Sequence, residues 1–122
     1  MAAGPTTSAR EEPYQAKVIE SYAVRAVIGK GGMGASTLGA CKQFGAVYLS
    51  AIGGCGTQIA LAVKQVLDVH KLAEFGTPEA FWVCKVEKLP LVVTMDSHGN
   101  SLHDSIEQSS RKRLQQLLGL SG

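Results

Sequence analysis

A chain of 122 residues with 45% hydrophobic and 18% charged residues has the length and composition of one globular domain, not of a disordered segment. Its net charge of +2, with no basic stripe interleaved with aromatics, argues against nucleic acid as a partner, and no apolar run is long enough to cross a bilayer. Three cysteines at irregular spacing and an N-terminus without an apolar h-region fit a reducing, cytoplasmic setting better than secretion.

After a Pro/Thr/Ser-rich start, Pro13 opens a helical pattern that sets Tyr14, Val18, Ile19 and Tyr22 on one face. Val24 to Ile28 reads as a strand, followed by the run Gly29-Lys30-Gly31-Gly32-Met33-Gly34. A short helix from about Ser36 to Phe44 comes next, with Ser36 or Thr37 placed to cap it. Ala46 to Ile52 is a second apolar strand ending in Gly53-Gly54, and Gly56 to Val66 has helical spacing through Ile59, Ala62, Val63 and Val66. Leu67 to Leu72 then reads as a strand and Glu74 to Ala80 as a turn. Phe81 to Val86 and Leu91 to Met95 are strands, "DSHGN" is a turn, and a last helix from Ser101 to Leu118 stops at Gly119. Strand–turn–helix units with apolar strands predict an α/β fold, a single domain over residues 1–122 with mostly parallel strands.

Gly29, Gly31 and Gly34 form a Gly-x-Gly-x-x-Gly run between a strand and a helix, the layout of a dinucleotide-binding turn. Such a site also wants an acidic residue about 20 positions on, at the end of the next strand, for the ribose hydroxyls. Here that place is "LSAIGGCG", which has no carboxylate. A P-loop is excluded as well, because Lys30 sits at the start of the run instead of after its last glycine. What remains is a turn whose backbone N–H groups, helix N-terminus and Lys30 suit a carboxylate or phosphate, set against a plain tight turn with a solvated lysine.

Other constellations carry less. Cys41, Cys55 and Cys84 match no compact iron–sulfur motif, and Cys41 and Cys84 read as small core residues. Asp96, Ser97 and His98 contain triad residue types, but neighbours in a tight turn diverge, so turn chemistry is the expected role. His70 and His103 stand isolated, and Arg111-Lys112-Arg113 reads as a solvated helix face.

Five blocks taken in order, "GPTTSAR", "IGKGGMG", "GAVYLSAIGG", "EFGTPEAFW" and "PLVVTMDSHGN", resemble the β subunit, or C-terminal domain, of class I iron–sulfur fumarases and the related L-tartrate dehydratases. The resemblance covers nearly the whole chain and implies a swivelling β/β/α-type domain. It also implies a hydro-lyase that hydrates fumarate to malate or dehydrates tartrate, between which these residues do not distinguish. In the resemblance Lys30, with Gly31 and Gly32, contacts a dicarboxylate substrate. "GPTTSAR" adds Thr6, Thr7 and Arg10; Arg10 is a candidate second carboxylate clamp, with bracing against Glu11 or Glu12 as its alternative. The 4Fe–4S cluster is expected on a cluster-bearing α-type subunit or domain and not on this chain, and homo-oligomerisation is left open.

The sequence departs from that family in two places. The family's β region opens with a Gly-Thr-x-x-Thr-x-Arg-Asp type of segment bearing a proposed catalytic threonine, which has no counterpart here, and residue 77 is Thr where Met is common. The catalytic residue is therefore unassigned, and the isolated chain is expected to be inactive. The alternative is a truncated, non-catalytic relative that binds a small anion or a protein.

Overall fold

The computed structural model describes residues 3, 4 and 7–119; Thr6 lies outside them. Their contacts divide into two compact units, Pro5–Ala51 with Leu91–Gly122, and Met1–Gly4 with Ile52–Pro90.

In the first unit a 3-10 turn, Ser8–Glu11, runs directly into helix α1, Glu12–Tyr22, whose first turn contains Pro13. Proline is favoured there because its missing N–H would find no partner in the helix anyway. Strand β1, Ala26–Lys30, is followed by helix α2, Ala35–Phe44, and strand β2, Val47–Ala51. β1 and β2 pair in parallel from Ala26 against Val47 to Lys30 against Ala51, with α2 as the crossover. Ile19 of α1 is fully buried against Ala40 and Cys41 of α2 and Ala46, with Val27 and Phe44 packed around them. A second cluster joins Met33, Tyr48 and Met95, and Val27 packs against both. Burying side chains of this size contributes about 1.5–3 kcal/mol each, so these two clusters hold the layers together. Strand β5, Leu91–Met95, completes a three-stranded sheet in the order β1-β2-β5, and helix α5, Leu102–Leu117, follows it.

The second unit begins with helix α3, Gly56–Ala62, and passes without a loop into strand β3, Val63–His70. Helix α4, Leu72–Glu79, leads to strand β4, Phe81–Val86, which pairs antiparallel with β3. The helical spacing read through Val66 therefore ends at Ala62. Val63, Val66 and Val69 instead pair with Val86, Cys84 and Trp82, a cross-strand setting that suits β-branched side chains better than a helix does. The segment expected to be a turn is helical but broken, with Gly76 at φ 70 and ψ 174 and Pro78 inside it. Trp82 Nε1 donates to the Thr77 carbonyl at 3.1 Å, and the Phe75 and Phe81 rings meet edge to face at 6.5 Å, fixing how the break feeds β4.

The α/β class is as expected, but mostly parallel strands are not. Among the described residues only β1–β2 is parallel; β2–β5 and β3–β4 are antiparallel. A parallel neighbour needs a crossover that returns the chain to its starting end. α2 provides one, whereas the kinked α4 simply reverses the chain. At β5 the reversal is larger: Leu91 pairs with Ala51, so the excursion from 52 to 90 delivers the chain back to the edge it left.

Candidate functional site

The glycine run sits at the carboxyl end of β1, where sheets of this kind leave room for ligands. Lys30 ends the strand, and Gly31 at φ 73 turns the chain in a conformation that a side chain would strain. Met33 anchors the far side of the turn in the Tyr48–Met95 cluster.

Two segments remote in sequence grip this turn. The Lys30 N–H donates to Ser8 Oγ at 2.9 Å. The Glu12 carboxylate lies across the N-terminus of α2, where Oε2 accepts from the Gly34 N–H at 2.7 Å and the Thr37 hydroxyl at 2.6 Å. Its Oε1 accepts from the N–H groups of Ser36 at 2.9 Å and Thr37 at 3.2 Å. Burial alone would push the Glu12 carboxyl up, but these four hydrogen bonds outweigh it and hold the group below its ordinary value. Ser36 and Thr37 thus do not cap α2 as expected. They are the capped groups, and Glu12 is the cap.

The glycines follow from these neighbours. A Cβ on Gly34 would lie 2.6 Å from Glu12 Oε1, and one on Gly29 would collide with the hydroxyls of Ser8 and Tyr48. A Cβ on Gly32 would stand 3.3 Å from the His103 ring. Three glycines of the run therefore admit side chains of this same protein. The helix N-terminus that a pyrophosphate would need is filled by Glu12, so the run is not a nucleotide site. At the start of α2 the N–H groups of Gly34, Ser36 and Thr37 are therefore taken up by a side chain of this protein.

Of the candidate residues, Lys30 and Gly32 are half-buried in the turn, while Gly31, Thr7 and Arg10 are exposed. Arg10 lies in the 3-10 turn between Ser8 and Glu12, the two residues that grip the Lys30 segment. Among the described residues no ion pair engages Lys30 or Arg10, and none joins Arg10 to Glu11 or Glu12. A cavity of about 230 Å³ between the 3-10 turn and β1 is lined by Ser8, Gln15, Gly29, Met33 and Tyr48, among others. The fully buried Tyr48 hydroxyl has no hydrogen-bond partner among the described residues.

His103, set aside on sequence, belongs to this neighbourhood. Ser101 caps α5 by accepting from the Asp104 N–H at 3.2 Å and bridges to Met95, and the His103 ring lies beside Gly32 with its Nε2 buried and without a partner among the described residues. No spacing in the sequence signals it. The "DSHGN" segment behaves as turn chemistry: Asp96 accepts from the His98 and Asn100 N–H groups at 2.9 Å and from the Asn100 side chain at 2.8 Å. The bond from the Asn100 side chain, then that from its N–H, lowers the Asp96 carboxyl below its usual value.

The cysteines do not fit an iron–sulfur cluster. Cys41 is fully buried in the Ile19 cluster, and burial pushes its thiol up, away from the thiolate that a cluster ligand must be. Cys55 is exposed before α3 and Cys84 half-buried on β4. Among the described residues no group of three His, Cys, Asp or Glu side chains is arranged to hold a metal, and no helix is long and apolar enough to cross a membrane.

Residues 1–106 match the family model described as the fumarase C-terminus. The chain is 56% identical over 115 residues to a Geobacillus stearothermophilus protein that carries a provisional class I fumarate hydratase name, covering 94% of this chain and 22% of that protein. It is 43% identical over 100 residues to the L(+)-tartrate dehydratase subunit beta of Escherichia coli K12, covering 81% of this chain and 49% of that subunit. A Methanocaldococcus jannaschii protein with a provisional L(+)-tartrate dehydratase subunit beta name is 42% identical, covering 96% of this chain and 60% of its own length. The chain therefore spans at most about three-fifths of these relatives, and over that span it belongs to the fumarase C-terminus family, as the β-subunit or C-terminal region of class I fumarate hydratases and L-tartrate dehydratases.

Proposed function

We propose that this chain forms one wall of a dicarboxylate site in a fumarase-type hydro-lyase, with Lys30, Gly31 and Gly32 receiving one carboxylate and Arg10 the other. The observation that carries this reading is the double grip of Ser8 and Glu12 on the glycine turn. It ties the 3-10 turn bearing Arg10 to the segment bearing Lys30, two cations outside any ion pair among the described residues. Guanidinium can bind a carboxylate through two parallel hydrogen bonds, and lysine adds a mobile point charge, so the pair suits a short dianion. Thr7, exposed beside the 3-10 turn, is a further polar contact in this reading.

The reaction needs more than this chain offers. Hydration of fumarate calls for a Lewis acid on the hydroxyl and a group that moves a proton at carbon. The cysteines here do not fit a cluster, so the 4Fe–4S group belongs to an α-type partner in this proposal. A swivelling β/β/α-type architecture for the complete β region, and a cytoplasmic location consistent with three free thiols, complete the reading.

L-malate or L-tartrate added to the isotope-labelled chain should shift the amide signals of Gly31, Gly32 and Met33. Lys30→Met should abolish that response with the fold intact, and an equal response in both proteins would remove Lys30 from the site. The isolated chain should hydrate no fumarate even with iron present; turnover by it alone would refute the division of labour with a partner.

A further inference from the structure

The Glu12 carboxylate uses each of its oxygens twice. Oε2 takes the Gly34 N–H and the Thr37 hydroxyl; Oε1 takes the N–H groups of Ser36 and Thr37. All four partners are donors, so the site demands an acceptor on both sides, which an ionised carboxylate supplies and an amide of the same shape does not. Thr37 is fully buried, and among the described residues its hydroxyl has Glu12 as its partner. Gly34 has no room for a side chain because the carboxylate lies there. Three features, an all-donor pocket, a buried hydroxyl and an excluded Cβ, thus converge on one acidic side chain.

Glu12 is also the first residue of α1, two positions after Arg10, while its partners lie just beyond the Lys30–Gly32 turn. Ser8, two positions before Arg10, holds the Lys30 N–H. We propose that Glu12 is a positioning residue that touches no ligand itself and, with Ser8, sets the separation of Arg10 from Lys30 and hence the span of dicarboxylate the site accepts. This rests on the dicarboxylate reading above. With the protein's own carboxylate at the helix N-terminus, the ligand's carboxylates are left to Lys30 and Arg10. The turn is held open as a frame.

The test compares wild type, Glu12→Gln and Lys30→Met by amide signals, with L-malate as the probe, alongside amide hydrogen exchange without ligand. Glu12→Gln keeps the size of the side chain but turns a donor toward one pair of donors. We expect exchange at Gly31, Gly32 and Gly34 to quicken at least tenfold and L-malate affinity to fall at least tenfold, although Lys30 and Arg10 are untouched. Unchanged affinity in Glu12→Gln beside a lost response in Lys30→Met would overturn the positioning role while leaving the dicarboxylate site standing. Absence of any L-malate response in wild type would sink the dicarboxylate reading, and with it the role of Glu12 in setting span. The exchange data would still report whether Glu12 holds the turn, and unchanged exchange would overturn that part too. Should Glu12→Gln fail to fold, Thr37→Val removes one bond of the four and should quicken exchange at Gly34 about threefold; no change there would count against the proposal.

Discussion

The two units of this chain are built to different standards. Around β1, β2 and β5, Ile19, Cys41, Tyr48 and Met95 are essentially removed from solvent, and hydrogen bonds from remote segments lock the glycine turn. In the Ile52–Pro90 unit, Ala62 is the buried member of the apolar set among the described residues, while Leu67, Phe81, Trp82 and Val83 remain 58%, 62%, 43% and 42% exposed. A two-stranded sheet is marginal alone in water, and these exposures leave both faces of β4 with apolar side chains in solvent. The difference teaches that packing and candidate chemistry reside in the same unit, whereas the other presents side chains patterned for contact it does not make within itself.

The largest expected effect breaks the better-packed unit. Ile19→Ala should cost about 2–5 kcal/mol, because a fully buried side chain leaves a cavity between α1 and α2. Urea unfolding followed by circular dichroism reads it, and a loss below 1 kcal/mol would mean the cluster is looser than its burial implies.

A pair of glycines sharpens the contrast. Gly29→Ala must displace the Ser8 and Tyr48 hydroxyls and should cost about 1–3 kcal/mol. Gly53→Ala, with nothing near its Cβ and no positive φ, should be neutral or stabilise by up to about 1 kcal/mol. Equal melting-temperature shifts in the two variants would erase the distinction.

Acid should act on the Glu12 clamp. A carboxyl whose folded-state pKa is depressed contributes stability that is fully present above its unfolded value, near 4.5, and is lost as pH falls through the folded value. Protection of the Gly34, Ser36 and Thr37 amides, taken relative to their intrinsic exchange rates, should therefore fall below pH 4.5 in wild type and stay constant over that descent in Glu12→Gln. Parallel acid profiles in the two proteins would refute the assignment.

The smallest effect on stability belongs to the exposed face. Val83→Lys should change unfolding free energy by no more than about 0.5 kcal/mol while lowering the binding of a hydrophobic dye. A loss above 1 kcal/mol would show that Val83 packs more than its exposure indicates.

Local patterns in the sequence carried much of the fold. β4 and β5 fall on the residues that alternation and flanking turns indicate, and α1, α2 and α5 begin within a residue of their punctuation. The difference at Val63–Val66 has a physical origin: valines three residues apart match a helix and not a two-residue alternation, but register shifts at Val63/Gln65 and Val66/Asp68 let β3 carry them, and pairing with β4 decides for the strand. At the candidate site the glycines and Lys30 were legible because backbone geometry leaves a local mark. Glu12 and His103 were not, since their roles come from contacts with the turn across long stretches of chain. A helix N-terminus marks a place for an anion, but no local rule says that the anion is a side chain of the same protein, as Glu12 is here.

The pairing of Ala51 with Leu91 has a consequence for how the chain assembles. The whole 52–90 excursion leaves and re-enters the sheet at neighbouring positions, so for β2–β5 pairing it acts as one long closed loop. Loop-closure entropy grows only logarithmically, with each doubling of length adding about 0.6 kcal/mol. β1, α2 and β2 can therefore condense early through short-range contacts, with β5 joining last, after the longest closure. Lengthening the excursion between those two anchor points should slow that final step slightly, and trimming it should speed it slightly, while leaving the β1–α2–β2 nucleus untouched.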